Sequence, residues 1–286
     1  MNKKLIAAAI VGLGLTTSGF VHATPIANQF FPGALNQLSD NNAEYLLNAN
    51  GTLSNSGDSI LDKNDRLVGM FTIETIENLS ASGTNNIFGS GRELTGVFDV
   101  TVTSKTPSIT GFSYTFGATA ANGIAVRVFD DATQNYTRLD GGAGTRAARL
   151  AALMGNASGG LSFLDLGINQ YWFSQVVTDD ISVIGALPPG QAVNSFLVSL
   201  NIVNNNSGLT FNKVNCGVTP SGLLAFHKTD VCGSGSLLGV GGAVTPFDSF
   251  SNIDFTVNVV PEPGMLALLG LGLVGMGVSL RKRKTA

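Results

Sequence analysis

Between residues 94 and 103, Leu94, Phe98, Val100 and Val102 alternate with Thr95, Asp99, Thr101 and Thr103. Residues 195–203 repeat the pattern, with Phe196, Val198, Leu200 and Ile202 set against Ser195, Ser199 and Asn201. Residues 253–260 set Ile253, Phe255, Val257 and Val259 against Asp254, Thr256 and Asn258. A period of two places one set on each face of a strand, one face buried and one wet. Residues 68–76, 109–116, 124–129 and 171–177 are further strand candidates. Turn signals separate them at Asn50-Gly51, Asn122-Gly123, Gly141-Gly142 and residues 204–208. Half-wet strands suit antiparallel sheets better than parallel ones, which are apolar on both faces. One short helix is expected over 146–154, capped by Thr145 and ended by Gly155. No repeat of a solenoid or propeller is present. The expectation is mostly β: a single antiparallel β-sandwich-like domain over residues 24–260.

Two apolar runs do not follow this period. After Lys3 and Lys4, residues 5–15 are apolar, and Val21-His22-Ala23 precede Thr24. Basic, apolar and small-residue parts in that order form a secretory signal peptide, residues 1–23, which signal peptidase would cut between Ala23 and Thr24. A run of 11 residues is too short for a retained anchor, which needs about 20. At the other end, residues 264–280 carry no charge and follow Pro261-Glu262-Pro263; Arg281, Lys282, Arg283 and Lys284 come next. As a helix this run would span about 25 Å, at the short end for a transmembrane segment. The basic tail would hold its end in the cytoplasm. Signal peptide and stop-transfer helix together place the body outside the inner membrane.

The order of motif, apolar helix and basic tail over residues 261–286 resembles the PEP-CTERM sorting signal. The resemblance implies an exosortase as partner, a membrane-embedded cysteine transpeptidase of Gram-negative bacteria. It also implies transfer to the cell surface or matrix, often beside exopolysaccharide. An ordinary C-terminal anchor is the alternative. Pro261 and Pro263 fit a processing site physically, since they block regular helix and sheet bonding and keep the segment extended.

Charge sharpens the picture of the body. The chain has 286 residues and a net charge of −3, but six of its 16 basic residues lie at the two ends. Residues 24–260 keep 10 basic and 18 acidic residues, a net of −8. Such a body repels nucleic-acid phosphates and lacks a basic stripe, so no nucleic-acid partner is expected.

Candidate chemistry is sparse. Cys216 and Cys232 are the two cysteines, and in an oxidising compartment a disulfide is expected; a metal or catalytic cysteine is the alternative. His227 lies between them. A Ser-His-Asp triad could be built only through it, and no G-x-S-x-G surrounds any serine. One histidine cannot make an ordinary zinc site. Asp130-Asp131 and Asp179-Asp180 are sequence neighbours, whose side chains point apart on a strand, so neither is a natural glycosidase dyad. Asp58, Asp62, Asn64 and Asp65 are dense enough in oxygen to wrap calcium, although Arg66 and Leu67 break the EF-hand pattern. Gly270, Gly272 and Gly275 match G-x-G-x-x-G but lie in the apolar run, outside any βαβ context, so no cofactor is expected. Alternation puts Trp172 on the opposite face from Tyr171 and Phe173; outward it could stack on a sugar, inward it would be core. Three functional classes remain: a non-enzymatic structural or adhesive protein of a biofilm or floc matrix, a polysaccharide-binding module, and a secreted hydrolase.

Overall fold

The strand read at 253–260 closes the molecule. In the computed structural model, which describes residues 25–53, 60–109, 111–137, 145–180, 195–217, 227–237, 247–249 and 251–261, it is β13 (Ser251–Val260). On one side it pairs with β1 (Ala34–Leu47), on the other with β12 (Val231–Leu237). From β1 the antiparallel path runs through β2 (Arg66–Asn78), β4 (Glu93–Ser108), β5 (Gly111–Ala118), β7 (Leu161–Val176) and β8 (Ser195–Asn205) back to β12. Eight strands thus form a closed barrel. β6 (Ile124–Asp131) shares the position between β4 and β7 with β5, pairing with the first halves of both. The short strands β3 (Thr84–Asn86) and β9 (Thr210–Asn212) attach to β2 and β13, while β10 (Val214–Cys216) and β11 (His227–Thr229) make a separate hairpin.

The mostly β, antiparallel expectation holds, but the sandwich is corrected to a barrel. A half-buried strand has the same period in either architecture, so alternation cannot distinguish them. The pairing of first long strand with last decides it, because it leaves none of the eight with a free edge. Register shifts at Ser39/Asp40, Val102/Ser104 and Asp165/Leu166 add the local bends that closure needs.

An eight-stranded barrel is just wide enough for its side chains to fill. Here Leu67, Phe98, Val100, Trp172, Phe196 and Val198 are among the buried residues that do so. Two reciprocal pairs tighten the β2–β4 wall: Gly69 lies opposite Phe98, and Phe71 opposite Gly96. Each ring occupies the space a neighbouring Cβ would take. A residual cavity of about 40 Å³ lies among Leu38, Phe71, Val126, Phe163 and Phe255. Ligand pockets run to about 300 Å³ or more, so this space is a packing defect and not a small-molecule site.

Outside the barrel, helix α1 (Arg146–Ala157) lays Leu153 and Ala157 against Tyr45, Val68 and Met70. Thr145 caps it by accepting the Ala148 N–H at 3.2 Å. The helix continues past Gly155, where a Cβ would meet open space, and ends at Ser158. No helix among the described residues is long and apolar enough to cross a membrane. The expected signal peptide, residues 1–23, and the expected transmembrane segment at 264–280 lie outside them.

Candidate functional site

The sorting segment begins where the barrel ends. Val259 pairs with Ala34 and Phe211, Val260 pairs with Thr210, and the Gly33 N–H donates to the Val259 carbonyl at 2.7 Å. Pro261 follows at once and is exposed. Gly33 has φ +83, a left-handed turn that brings it against the Pro261 ring. The remaining motif residues Glu262 and Pro263, the tail Arg281–Lys284 and the cleavage pair Ala23 and Thr24 lie outside the described residues.

The Cys216–Cys232 disulfide forms, with Cα atoms 5.4 Å apart. It ties the β10–β11 hairpin to β12 over the outer faces of Tyr171 and Phe173. His227 faces Cys216 across that hairpin. Its Nε2 is 2.6 Å from the Ser199 Oγ, and its ring meets the Tyr171 ring edge-on at 5.2 Å. A catalytic triad needs a carboxylate on the other ring nitrogen and an accessible serine. Here Nδ1 is buried without a partner and Ser199 is wholly buried. The pair fastens the hairpin to the wall of β8.

Trp172 points into the barrel, 1% exposed, packed on Phe98 and Phe196 at 5.4 and 5.7 Å. It offers no platform to a sugar. Two of the calcium candidates are engaged by protein groups. Asp62 Oδ1 accepts from Lys105 Nζ at 2.7 Å, and Lys105 also reaches Asp179 at 2.9 Å. Asp65 Oδ2 accepts the Asp62 N–H at 2.8 Å, and Asn64 donates its N–H to the Val102 carbonyl. Asp58 lies outside the described residues. Asp130 accepts from Arg92 at 2.7 Å, whereas Asp131 binds Thr133, so that dyad is split.

A different oxygen-rich group, without a sequence signal of the kinds weighed above, lies on β1. Asp40, Asn42 and Glu44 share a face with Leu38 and Leu46, residues of the barrel core; Ala43, Tyr45 and Leu47 face helix α1. All three polar side chains are buried. Asp40 Oδ1 accepts the Ile253 N–H at 2.7 Å. Ser251 Oγ accepts from Asn42 Nδ2 at 2.7 Å and donates to Glu44 Oε1 at 2.5 Å. Ser249 lies across the Glu44 backbone, its carbonyl accepting the Glu44 N–H at 2.9 Å. Burial pushes the Glu44 carboxyl up to about 7 against the bonds from Ser251 and Ser249. Burial first, then the charges of Glu44, Asp254 and Glu74, raise Asp40 well above the carboxylate range, against the lowering effect of the Ile253 N–H.

The family model of the PEP-CTERM protein-sorting motif matches residues 259–284. This chain carries a PEP-CTERM motif. The motif implies an exported protein sorted by an exosortase. Its first two matched residues are also the last two of β13, so the PEP-CTERM segment and the barrel share residues instead of being joined by a linker. No curated protein and no solved structure matches the chain.

Proposed function

We propose that the barrel is a non-enzymatic structural or adhesive protein of the cell surface or extracellular matrix, acting in a biofilm or floc. In this reading the C-terminal segment anchors it in the inner membrane until an exosortase processes it. Exopolysaccharide is the expected companion. The observation that carries the reading is the PEP-CTERM motif set flush against the last barrel strand, so the sorted object is the barrel itself. The filled interior and the Ser199–His227 pair without a carboxylate favour it over a hydrolase. The position of Trp172 in the core favours it over sugar binding through that ring.

Replacing Pro261-Glu262-Pro263 by three alanines is expected to hold the protein in the inner membrane, measured by fractionation. Normal arrival at the surface or in the medium would refute the sorting half of the proposal. Deleting the protein is expected to weaken aggregation or biofilm cohesion, with no substrate turned over by the purified protein. Unchanged cohesion would refute the other half.

A further inference from the structure

The chain leaves the barrel through a surface built from uncharged segments. The register brings them together: Ala34 pairs with Val259, Asn36 with Asn78, and Val260 with Thr210. The N-terminal turn joins them, with the Gln29 carbonyl accepting from Asn85 Nδ2 at 2.6 Å and the Phe31 ring lying over Gly83. Residues 25–36, 78–91, 199–212 and 255–261 contain no Asp, Glu, Lys or Arg. Glu77 and Lys213 flank this surface, and Lys213 is paired with Asp230. Further round the same end, Arg92 and Asp130 are paired with each other. The opposite end is charged, with Lys105 between Asp62 and Asp179 and Lys63 exposed beside them.

The uncharged surface is apolar as well. Leu35 and Leu79 are 37% and 46% exposed and adjoin, the Leu79 N–H donating to the Leu35 carbonyl at 2.9 Å. Pro32, Ala81 and Pro261 are exposed, and Phe31 and Phe211 are half-buried. Exposed apolar groups alone do not single out this end, since Ile60 and Ile109 are exposed at the other, near the Lys105 cluster. The absence of charge and the path of the chain do. From Pro261 to Gly264, where the uncharged run 264–280 begins, is three residue steps, about 11 Å at most when extended. With that run in the inner membrane, this surface stays close to the lipid. A charge held there would lose water at a cost, whereas leucine and phenylalanine gain by entering the headgroup region. Residues 24–260 carry a net charge of −8, which anionic headgroups repel, so a neutral apolar face is the one able to approach them.

We propose that this surface, formed by Phe31, Pro32, Leu35, Leu79 and Phe211, rests on the outward-facing lipid leaflet of the inner membrane until the C-terminal segment is processed. The proposal rests on the reading of residues 264–280 as a membrane segment, and not on a matrix role. Docking orients the barrel with Pro261 at the lipid surface and the Lys105 end outward. It holds the Pro-Glu-Pro motif at the bilayer surface, within reach of a membrane-embedded enzyme. Processing then frees the same surface.

The test uses the chain with its C-terminal segment intact and its disulfide closed, reconstituted in phosphatidylethanolamine–phosphatidylglycerol vesicles. Ala81→Cys, on the proposed surface, and Lys63→Cys, at the opposite end, each carry an environment-sensitive fluorophore. Lipids with nitroxide-labelled headgroups serve as quencher. A blue shift and loss of most of the fluorescence are expected at residue 81, and neither at residue 63. Replacing Leu35 and Leu79 together by aspartate should abolish both effects at residue 81 while the protein stays in the vesicles. Leu35→Asn with Leu79→Asn serves if the aspartate pair does not fold. A probe at residue 81 that remains in water would overturn the docking, as would a blue shift that neither pair of substitutions alters. A blue shift in detergent that grows with protein concentration would assign the surface to a second copy of the chain and overturn the lipid assignment. Release of the protein by alkaline carbonate would refute the membrane reading of residues 264–280, and the docking with it. Retention with an unshifted probe would refute the docking alone.

Discussion

Tyr45 and Gly69 show how single residues govern this barrel. Tyr45 is fully buried under helix α1, and its hydroxyl has no partner. Removing an unsatisfied buried hydroxyl relieves a desolvation penalty, so Tyr45→Phe is expected to raise stability by about 1 kcal/mol at pH 7 in urea unfolding. Burial also pushes the phenol from 10.0 to about 12. The folded value lies above the unfolded one, so the neutral phenol's contribution is intact below pH 10.0 and is lost as pH rises toward 12. Wild-type stability should therefore fall across that window, and the phenylalanine variant should fall less; equal slopes would count against the argument. Gly69 is the opposite case. A Cβ there would sit 2.1 Å from a Phe98 ring carbon, and that ring is held by Trp172. Gly69→Ala should cost about 1–3 kcal/mol by overpacking, and an unchanged urea midpoint would show that the ring can move. Neither residue was legible beforehand, because a glycine or tyrosine in a strand does not reveal what lies opposite it.

At the scale of elements, the strands with clean alternation were legible: β2, β4, β6, β8 and β13 all contain their predicted segments. The expected strand at 109–116 begins two residues later as β5, since Ile109 stands fully exposed at the hairpin tip. β1 escaped notice because its inward face is polar at Asn36, Asp40, Asn42 and Glu44, which inverts the expected code. β12 escaped because Gly233 and Gly235 replace side chains where the next strand approaches; a Cβ at Gly235 would lie 1.8 Å from the Asn252 carbonyl oxygen. The disulfide was legible from two cysteines in an exported chain, and the structure adds that it secures the β10–β11 hairpin to β12 over Tyr171 and Phe173. Replacing both cysteines with serine should cost about 3 kcal/mol, the loop-closure value for a span of this size. A loss below about 1 kcal/mol would mean that the Ser199–His227 bond and the Tyr171 contact hold the hairpin unaided.

For the whole molecule, closure through β1 and β13 makes cooperativity the expected behaviour. A closed barrel cannot release one of its eight strands without opening two ladders. Trp172, the single tryptophan, sits in the core and reports its packing. Its fluorescence and the far-ultraviolet circular dichroism should therefore change together on urea unfolding, with one midpoint. Separate midpoints would show that part of the wall unfolds independently. The address of the protein was written locally: a motif, an apolar run and a basic tail act through their own chemistry, and machinery reads them as linear segments. Strand content was local too, because a period of two needs only neighbouring residues. Tertiary structure decided the rest: whether half-buried strands stack as a sandwich or close as a barrel, that Trp172 is core, that His227 meets Ser199 without a carboxylate, and that Asp40, Asn42 and Glu44 turn inward. Each of these depends on which distant segment lies opposite, and pairing between residues 217 positions apart, as in Leu38 and Phe255, leaves no mark in the local pattern of either strand.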